Sequence, residues 1–215
     1  IRDRSPSRGL GGVYKRQAYR PPAEKTDARY PVALTTGRLR DQWHSMSRTG
    51  SVPRAFGHVA EPEITMQSRD IVRRGLACGD LVEVQSRRGS IVLPLRASDE
   101  IASGQAYLAM HWGARFLGGI HSLGINTLTN SANDPDSRQP ELKHTAVRIQ
   151  AAQLPWRLVA FAFTGPGDSV QPESSPIPAL ALIDQLAVRM REMPFASAVP
   201  IGRDREGVLL SLIHI

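Results

Sequence analysis

Hydrogen-bond donors crowd into residues 35–50, TTGRLRDQWHSMSRTG: Arg38, Arg40, His44 and Arg48 stand among the hydroxyls of Thr35, Thr36, Ser45, Ser47 and Thr49, with Asp41 the single carboxylate. A guanidinium fork suits a phosphate or a heterocycle edge, and Gly37 lets backbone N–H groups come close to a ligand. Asp41 has two uses here: it can accept from an amine of such a ligand, or it can lock Arg38 or Arg40. A second cluster is His111-Trp112-Gly113. A third runs Asn126-Thr-Leu-Thr-Asn130 and then from Asp134-Pro-Asp to Glu141-Leu-Lys143-His144. Each has a bland alternative: a solvated loop for the first, core packing with satisfied polar tips for the second, a turn-rich polar loop for the third. Taken together, three donor-rich segments at strand ends point to one large, polar, anionic ligand.

Other chemistries fit poorly. Asp134, Asp136 and Glu141 lack the glycine and spacing of a calcium loop. The six histidines form no i, i+4 pair with a third ligand near in sequence. No Walker loop, dinucleotide fingerprint or Gly-x-Ser-x-Gly elbow is present. The single cysteine, Cys78, excludes a disulfide framework or a Cys-rich metal site and reads as an inert, half-buried thiol.

The elements that must hold these donors are mostly short strands. Tyr30-Pro-Val-Ala-Leu34 opens a buried strand over 31–36, and 62–67 alternates well enough for another. A short helix is expected at 68–75, with Ser68 as N-cap, Asp70 in the first turn and Gly75 at the stop. Alternation and turn residues predict a hairpin from 81–86 and 90–96, and further strands are expected at 105–110 and 144–149. Residues 164–178 read as a loop. Over 177–193, Leu180, Ile183, Leu186, Ala187 and Met190 share one helical face. No internal repeat is visible. The pattern argues a barrel decorated by loops.

The net charge of +7 suggests an anionic partner, but residues 1–17 hold five basic groups and Asp3, a net of +4, leaving +3 for the other 198 residues. Without an aromatic stripe, that argues against nucleic acid. The longest apolar stretches, such as 158–163, fall far short of the ~20 residues that span a bilayer, and no secretory h-region precedes them. Residues 1–17 and 210–215 resemble translated library adapters and are set aside from the fold. The chain is then expected to be an internal or C-terminal piece, with 18–29 as a linker, 30–154 as the barrel and 155–209 as an extension.

The segments TTGRLRDQWHSMSRTG, GDLVEVQSRRGSIVLPLRAS, AMHWG and NTLTNSANDPDSRQPELKHTAVRI follow in that order, and over about residues 30–150 they resemble the dinucleotide-binding domain of molybdopterin oxidoreductases. The Arg-Asp-Gln-Trp-His wording and the block from Asp134 to His144 are most similar to the assimilatory nitrate reductase catalytic subunit. The resemblance implies a mainly β chain with short helices, a double-psi β-barrel. It would be the C-terminal domain of a larger cytoplasmic enzyme, closing over a bis-molybdopterin guanine dinucleotide whose molybdenum reduces nitrate to nitrite. By motif match the implied cofactor contacts are Thr36, Gly37, Arg38, His44, Arg48, Thr49, His111, Trp112, Asn126, Asn130, Gln139 and Lys143, on loops 37–50, 111–126 and 130–143. No catalytic residue or metal ligand is implied here; the family's [4Fe-4S] cysteines and molybdenum ligand lie in upstream sequence. The implied partners are the N-terminal remainder of the polypeptide, an electron donor and nitrate, with neither nucleic acid nor a membrane. The same domain of a periplasmic nitrate reductase or a formate dehydrogenase is the nearest rival, and a basic nucleic-acid-binding module is the rival from another class. Two departures from the family pattern fall after His111: Ala114 replaces an expected acidic residue, and Gly118-Gly119-Ile120-His121 is an unusual run.

Overall fold

A computed structural model describes residues 20–118, 124–135, 137–154, 158–163, 178–201 and 207–213. Among the described residues, ten strands form two sheets. Strands β1 (Val32–Gly37), β2 (Ile64–Met66), β3 (Leu81–Gln85), β4 (Ser90–Ala97), β5 (Gln105–Ala109) and β7 (Thr145–Ala151) close a barrel in the order β1-β5-β2-β4-β3-β7. Strands β6 (Leu117–Gly118), β9 (Phe195–Ile201), β10 (Gly207–Ile213) and β8 (Leu158–Phe163) form a second sheet in that order. Helix α1 (Ser68–Arg73) links β2 to β3, and α2 (Pro178–Met190) packs on β9.

In the barrel, β1 pairs in parallel with β5 and β2 with β4, whereas β2–β5, β3–β4, β3–β7 and β1–β7 are antiparallel. Exchanging β1 with β4, β2 with β5 and β3 with β7 maps this pairing onto itself, parallel pairs onto parallel. Two interlocked three-strand halves of this kind make the expected double-psi β-barrel. The sequence shows no repeat because the symmetry lies in backbone pairing, which many side-chain sets satisfy. Period-2 alternation does survive where one face is buried: Val82 and Val84 point inward from β3, and Val32 and Leu34 from β1. Leu93, Leu108 and Val147 meet them in the same fully buried core, each side chain there contributing about 1.5–3 kcal/mol.

Several expectations change. The α1 N-cap is Gln67, whose side-chain oxygen accepts from the N–H groups of Arg69 and Asp70; a longer side chain reaches back as well as the serine expected at the cap. Gly75, at φ +66°, ends the turn as foreseen. Cys78 is exposed rather than half-buried, because the turn between Leu76 and β3 projects it outward. Residues 23–29, read as part of a linker, are bonded to the barrel wall. β9 was not anticipated, and β10 continues through Ile213 into a segment set aside from the fold. The 164–178 loop falls largely outside the described residues; Pro178 begins α2. The second sheet is not a separate appendix: its strand β6 comes from the segment after His111, and the Ala198 N–H donates to Phe116 O at 3.1 Å.

Candidate functional site

Strand directions place the three donor-rich segments together. Parallel β1 and β5 exit at one end of the barrel, where β7, antiparallel to β1, enters and β3, antiparallel to β7, exits. Direct bonds join the loops there. The Leu39 N–H donates to His111 Nε2 at 2.9 Å, the Thr36 hydroxyl donates to Leu142 O at 2.8 Å, and the Met110 N–H donates to Gly37 O at 2.8 Å. Arg38, His111 and Lys143 thus share one end of the domain.

The first loop is wound around buried residues rather than left to solvent. Gln42 Nε2 donates to Ala55 O at 2.9 Å, and its Oε1 accepts from the Thr49 hydroxyl at 2.7 Å. Met46 and Gly50 are buried beside it, a Cβ at Gly50 falling 2.8 Å from the Phe116 ring. Arg40, not Arg38, locks Asp41 through two 2.8 Å bonds that hold the carboxyl below the ordinary aspartate range. That leaves Arg38, His44 and Arg48 exposed, as donors available to a ligand. Gly37 admits no side chain: a Cβ there would sit 2.8 Å from Tyr107 Cε2, and the Tyr107 hydroxyl donates to Arg38 O at 3.1 Å.

His111 follows the bland alternative, core packing with satisfied polar tips, whereas Trp112 is buried with its polar tip unmet. His111 is buried and fully engaged: Nε2 accepts from Leu39 N–H, so Nδ1 carries the hydrogen and donates to His44 O at 2.5 Å. It positions the first loop and has no lone pair left for a cofactor. Trp112 is buried against Phe56, ring centroids 6.2 Å apart, yet its Nε1–H has no partner. Gly124, at φ +85°, brings the chain back so close that a Cβ would lie 2.8 Å from Trp112 O.

In the third segment the Asn126 and Gln139 side chains are exposed, as is Lys143 directly after Leu142. Asn130 Oδ1 accepts from Ala132 N–H at 2.9 Å while its buried Nδ2 has no partner. The Asp134 carboxylate accepts from the Ser137 N–H and hydroxyl, shaping a turn in which Arg138 takes φ +60°. Asp136 and His121 lie outside the described residues.

Thr36, Thr49 and His111 therefore serve as internal struts, while Arg38, His44, Arg48, Asn126, Gln139 and Lys143 present themselves outward. Two features set this end of the barrel apart. Among the described residues, the buried polar side-chain atoms without a partner are Trp112 Nε1, Thr127 Oγ1 and Asn130 Nδ2, all in the second and third segments. Each unmet group costs about 1–3 kcal/mol unless something fills the position. Among the described residues, the non-glycine residues with positive φ, His44, Met46 and Arg138, also lie in the donor-rich loops. Thr127 was not singled out from sequence, although it sits between the two asparagines that were. Gln42 and Met46 were also passed over, since nothing local separates an anchoring side chain from its exposed neighbours. Among the described residues no cluster of His, Cys, Asp or Glu could hold a metal, and no helix is long and apolar enough to cross a membrane.

Comparison with known proteins finds relatives among nitrate reductases. The nitrate reductase of Klebsiella oxytoca is 39% identical over 140 residues, 65% of this chain and 16% of its own length. That of Symbiobacterium thermophilum is 36% identical over 146 residues, 67% of this chain and 18% of its own. The periplasmic nitrate reductase of Desulfovibrio desulfuricans is 34% identical over 130 residues, 60% of this chain and 16% of its own. The chain thus spans about a sixth of the length of these relatives. Among solved structures, acetylene hydratase from Pelobacter acetylenicus superposes with a TM-score of 0.47 at 16% identity, over 57% of this chain and 18% of that one. The family described as "Molydopterin dinucleotide binding domain" matches residues 32–146, more than half of the sequence, and the chain belongs to that family.

Proposed function

We propose that this chain is the C-terminal, cofactor-holding part of a cytoplasmic, assimilatory nitrate reductase dependent on molybdenum, and that its ligand is a bis-molybdopterin guanine dinucleotide. The observation that carries this reading is the cluster of unmet polar atoms at the end of the barrel where the family's motif positions gather. Trp112 Nε1 and Asn130 Nδ2 can only donate, and the Thr127 hydroxyl can donate or accept. Pterin carbonyls, ring nitrogens and phosphate oxygens are acceptors, so the inventory fits. Arg38, Arg48 and Lys143 would meet the phosphates, and Asn126 and Gln139 the heterocycle edges. Thr36, Thr49 and His111 would hold the loops in place.

When bound, the cofactor supplies at its molybdenum the two-electron reduction of nitrate to nitrite, which consumes two protons and releases water. This chain's residues orient the cofactor and exclude water from one side of it. Among the described residues no cluster could hold a metal, so the chain alone is expected to reduce no nitrate and retain no molybdenum. The iron–sulfur cluster and the molybdenum ligand would belong to the N-terminal remainder. A periplasmic nitrate reductase is the second reading, favoured by the 34% identity to the Desulfovibrio relative, close to that of the others.

Guanosine diphosphate, standing in for the nucleotide end of the cofactor, tests the site on this chain. It should raise the melting temperature with rising concentration, as any ligand of the native state does, and duplex DNA should not. A shift with DNA and none with the nucleotide would favour the nucleic-acid alternative.

A further inference from the structure

The segment before β1 makes more ordered contacts than its polar, proline-containing composition suggests. Glu24 is its centre. One carboxylate oxygen is 2.9 Å from Arg87 Nη1 and accepts from Ala146 N–H at 3.1 Å; the other is 2.7 Å from Arg88 Nη1. The Glu24 backbone carbonyl is 2.8 Å from His144 Nε2. On one side, the Ala23 N–H donates to the Glu141 carboxylate at 3.1 Å. On the other, Asp27 accepts from the Arg29 and Tyr30 N–H groups, at 2.9 and 2.8 Å, and pairs with Arg87, whose guanidinium lies 4.8 Å from the Tyr30 ring centroid. Residues 23–30 therefore tie together the β3–β4 turn, the start of β7 and the far end of the third loop.

Arg88 extends the tie. While Nη1 engages Glu24, its Nε donates to Leu128 O at 3.0 Å. One guanidinium thus spans from the strap to the loop that carries the unmet atoms of Thr127 and Asn130. Next in the chain, Gly89 leaves room for the same loop: a Cβ there would fall 2.6 Å from Thr127 Cγ2. An open groove of about 770 Å³ runs between Glu24, Asp27, Arg87, Arg88 and Asn130, so without these bonds the loop would have little solid backing on that side.

We infer that residues 23–30 are a strap, and that Glu24 and Arg88 are positioning residues which hold the 126–132 loop in the conformation that presents Thr127 and Asn130 to a ligand. The link to a ligand rests on the cofactor reading above; the mechanical coupling does not. The side chain of Glu24 is only 10% exposed on the wall of that groove, and two guanidiniums and a backbone amide share its carboxylate. Burial acts to raise its carboxyl, but the Arg88 bond and field, the Ala146 amide and Arg87 outweigh that and hold it below the ordinary range. It stays an anion, and a neutral amide would bind Arg88 less firmly.

Hydrogen exchange on the full 215-residue chain tests the coupling, with Glu24→Gln, Arg88→Lys and, as control, Glu63→Gln, which removes an ion pair with Arg96 elsewhere on the barrel. The amides to follow are Thr127, Leu128 and Thr129, bonded to Gly124, Ile125 and Asn126 oxygens. In Glu24→Gln they should exchange about tenfold faster, equivalent to about 1.4 kcal/mol, with β4 and β5 amides unchanged and Glu63→Gln without effect. Arg88→Lys keeps the charge but cannot span both partners, so it should match Glu24→Gln; rescue by lysine would reduce Arg88 to a charge and overturn its positioning role. Unaltered exchange at 127–129, or equal acceleration throughout the barrel, would overturn the strap. Guanosine diphosphate is then added as a separate arm. Protection of 127–130 in the unaltered chain but not in Glu24→Gln ties the strap to binding, and protection equal in both chains overturns that tie. No protection in the unaltered chain sinks the cofactor reading while leaving the coupling judged by the first arm.

Discussion

Thr127→Val separates an unmet buried hydroxyl from a satisfied one more cleanly than any other change in the domain. Valine keeps the β-branched shape and the methyl that packs at Gly89, and replaces only Oγ1, which is buried and without a partner. In the ligand-free protein the change removes a desolvated polar atom that earns no bond, an effect of about 1–3 kcal/mol offset in part by local relaxation. A net gain of about 1 kcal/mol should raise the melting temperature by roughly 2–4 °C in a chain of this size. In the enzyme that carries this domain the same hydroxyl is expected to bond the cofactor. A net hydrogen bond is worth about 0.5–1.5 kcal/mol, so cofactor affinity should fall roughly two- to tenfold. Calorimetry of the ligand-free chain and molybdenum content of the enzyme read the two effects, which have opposite signs. A melting temperature that falls by several degrees would mean the hydroxyl is satisfied and the reasoning from unmet atoms is wrong.

Arg38→Ala and Lys143→Ala should each lower cofactor retention by about one to three decades, the range for a charge-assisted contact stripped of one partner. Arg69→Ala on the exposed side of α1 should leave retention unchanged. Molybdenum and guanine nucleotide per mole of enzyme provide the readout, and full retention in both variants would show that the ligand is held elsewhere. Gly37→Ala drives a methyl to within 2.8 Å of the Tyr107 ring and should cost about 1–3 kcal/mol of stability, measured by denaturant titration. Asp70 is buried and accepts from Gly104 N–H at 2.6 Å and the Ser103 hydroxyl at 2.8 Å; the Gly104 bond contributes most to holding its carboxyl below the usual range. A depressed folded-state value contributes stability that is present above the unfolded value of about 3.9 and lost as pH falls through the folded one. The deficit of Asp70→Asn should therefore be full at neutral pH and shrink below about pH 4. A deficit independent of pH would refute it.

Legibility followed local physics. The β3–β4 hairpin and the α2 face could be read because alternation, turn residues and helical spacing are local signals. β9 could not: Phe195–Ala196–Ser197–Ala198–Val199–Pro200 is buried at every position, so it has no alternation, and it carries a proline. The strap was invisible for a different reason. Glu24 meets Arg87, Arg88 and Ala146, partners more than 60 positions away, and nothing in a short polar segment reveals them. The site itself was half legible. Residue types picked out three loops that the fold gathers at one end of the barrel, but type alone could not divide the donors that point outward, such as Arg38 and Lys143, from those spent on the fold, such as His111 and Thr49. That division depends on which backbone groups happen to face them.

The most direct test of the account is a structure of this domain within the molybdenum-loaded enzyme. The account predicts cofactor oxygen or nitrogen atoms within about 3.2 Å of Trp112 Nε1, Thr127 Oγ1 and Asn130 Nδ2, with Arg38 and Lys143 on its anionic groups. A cofactor bound away from this end of the barrel, with those three atoms still unmet, would contradict it.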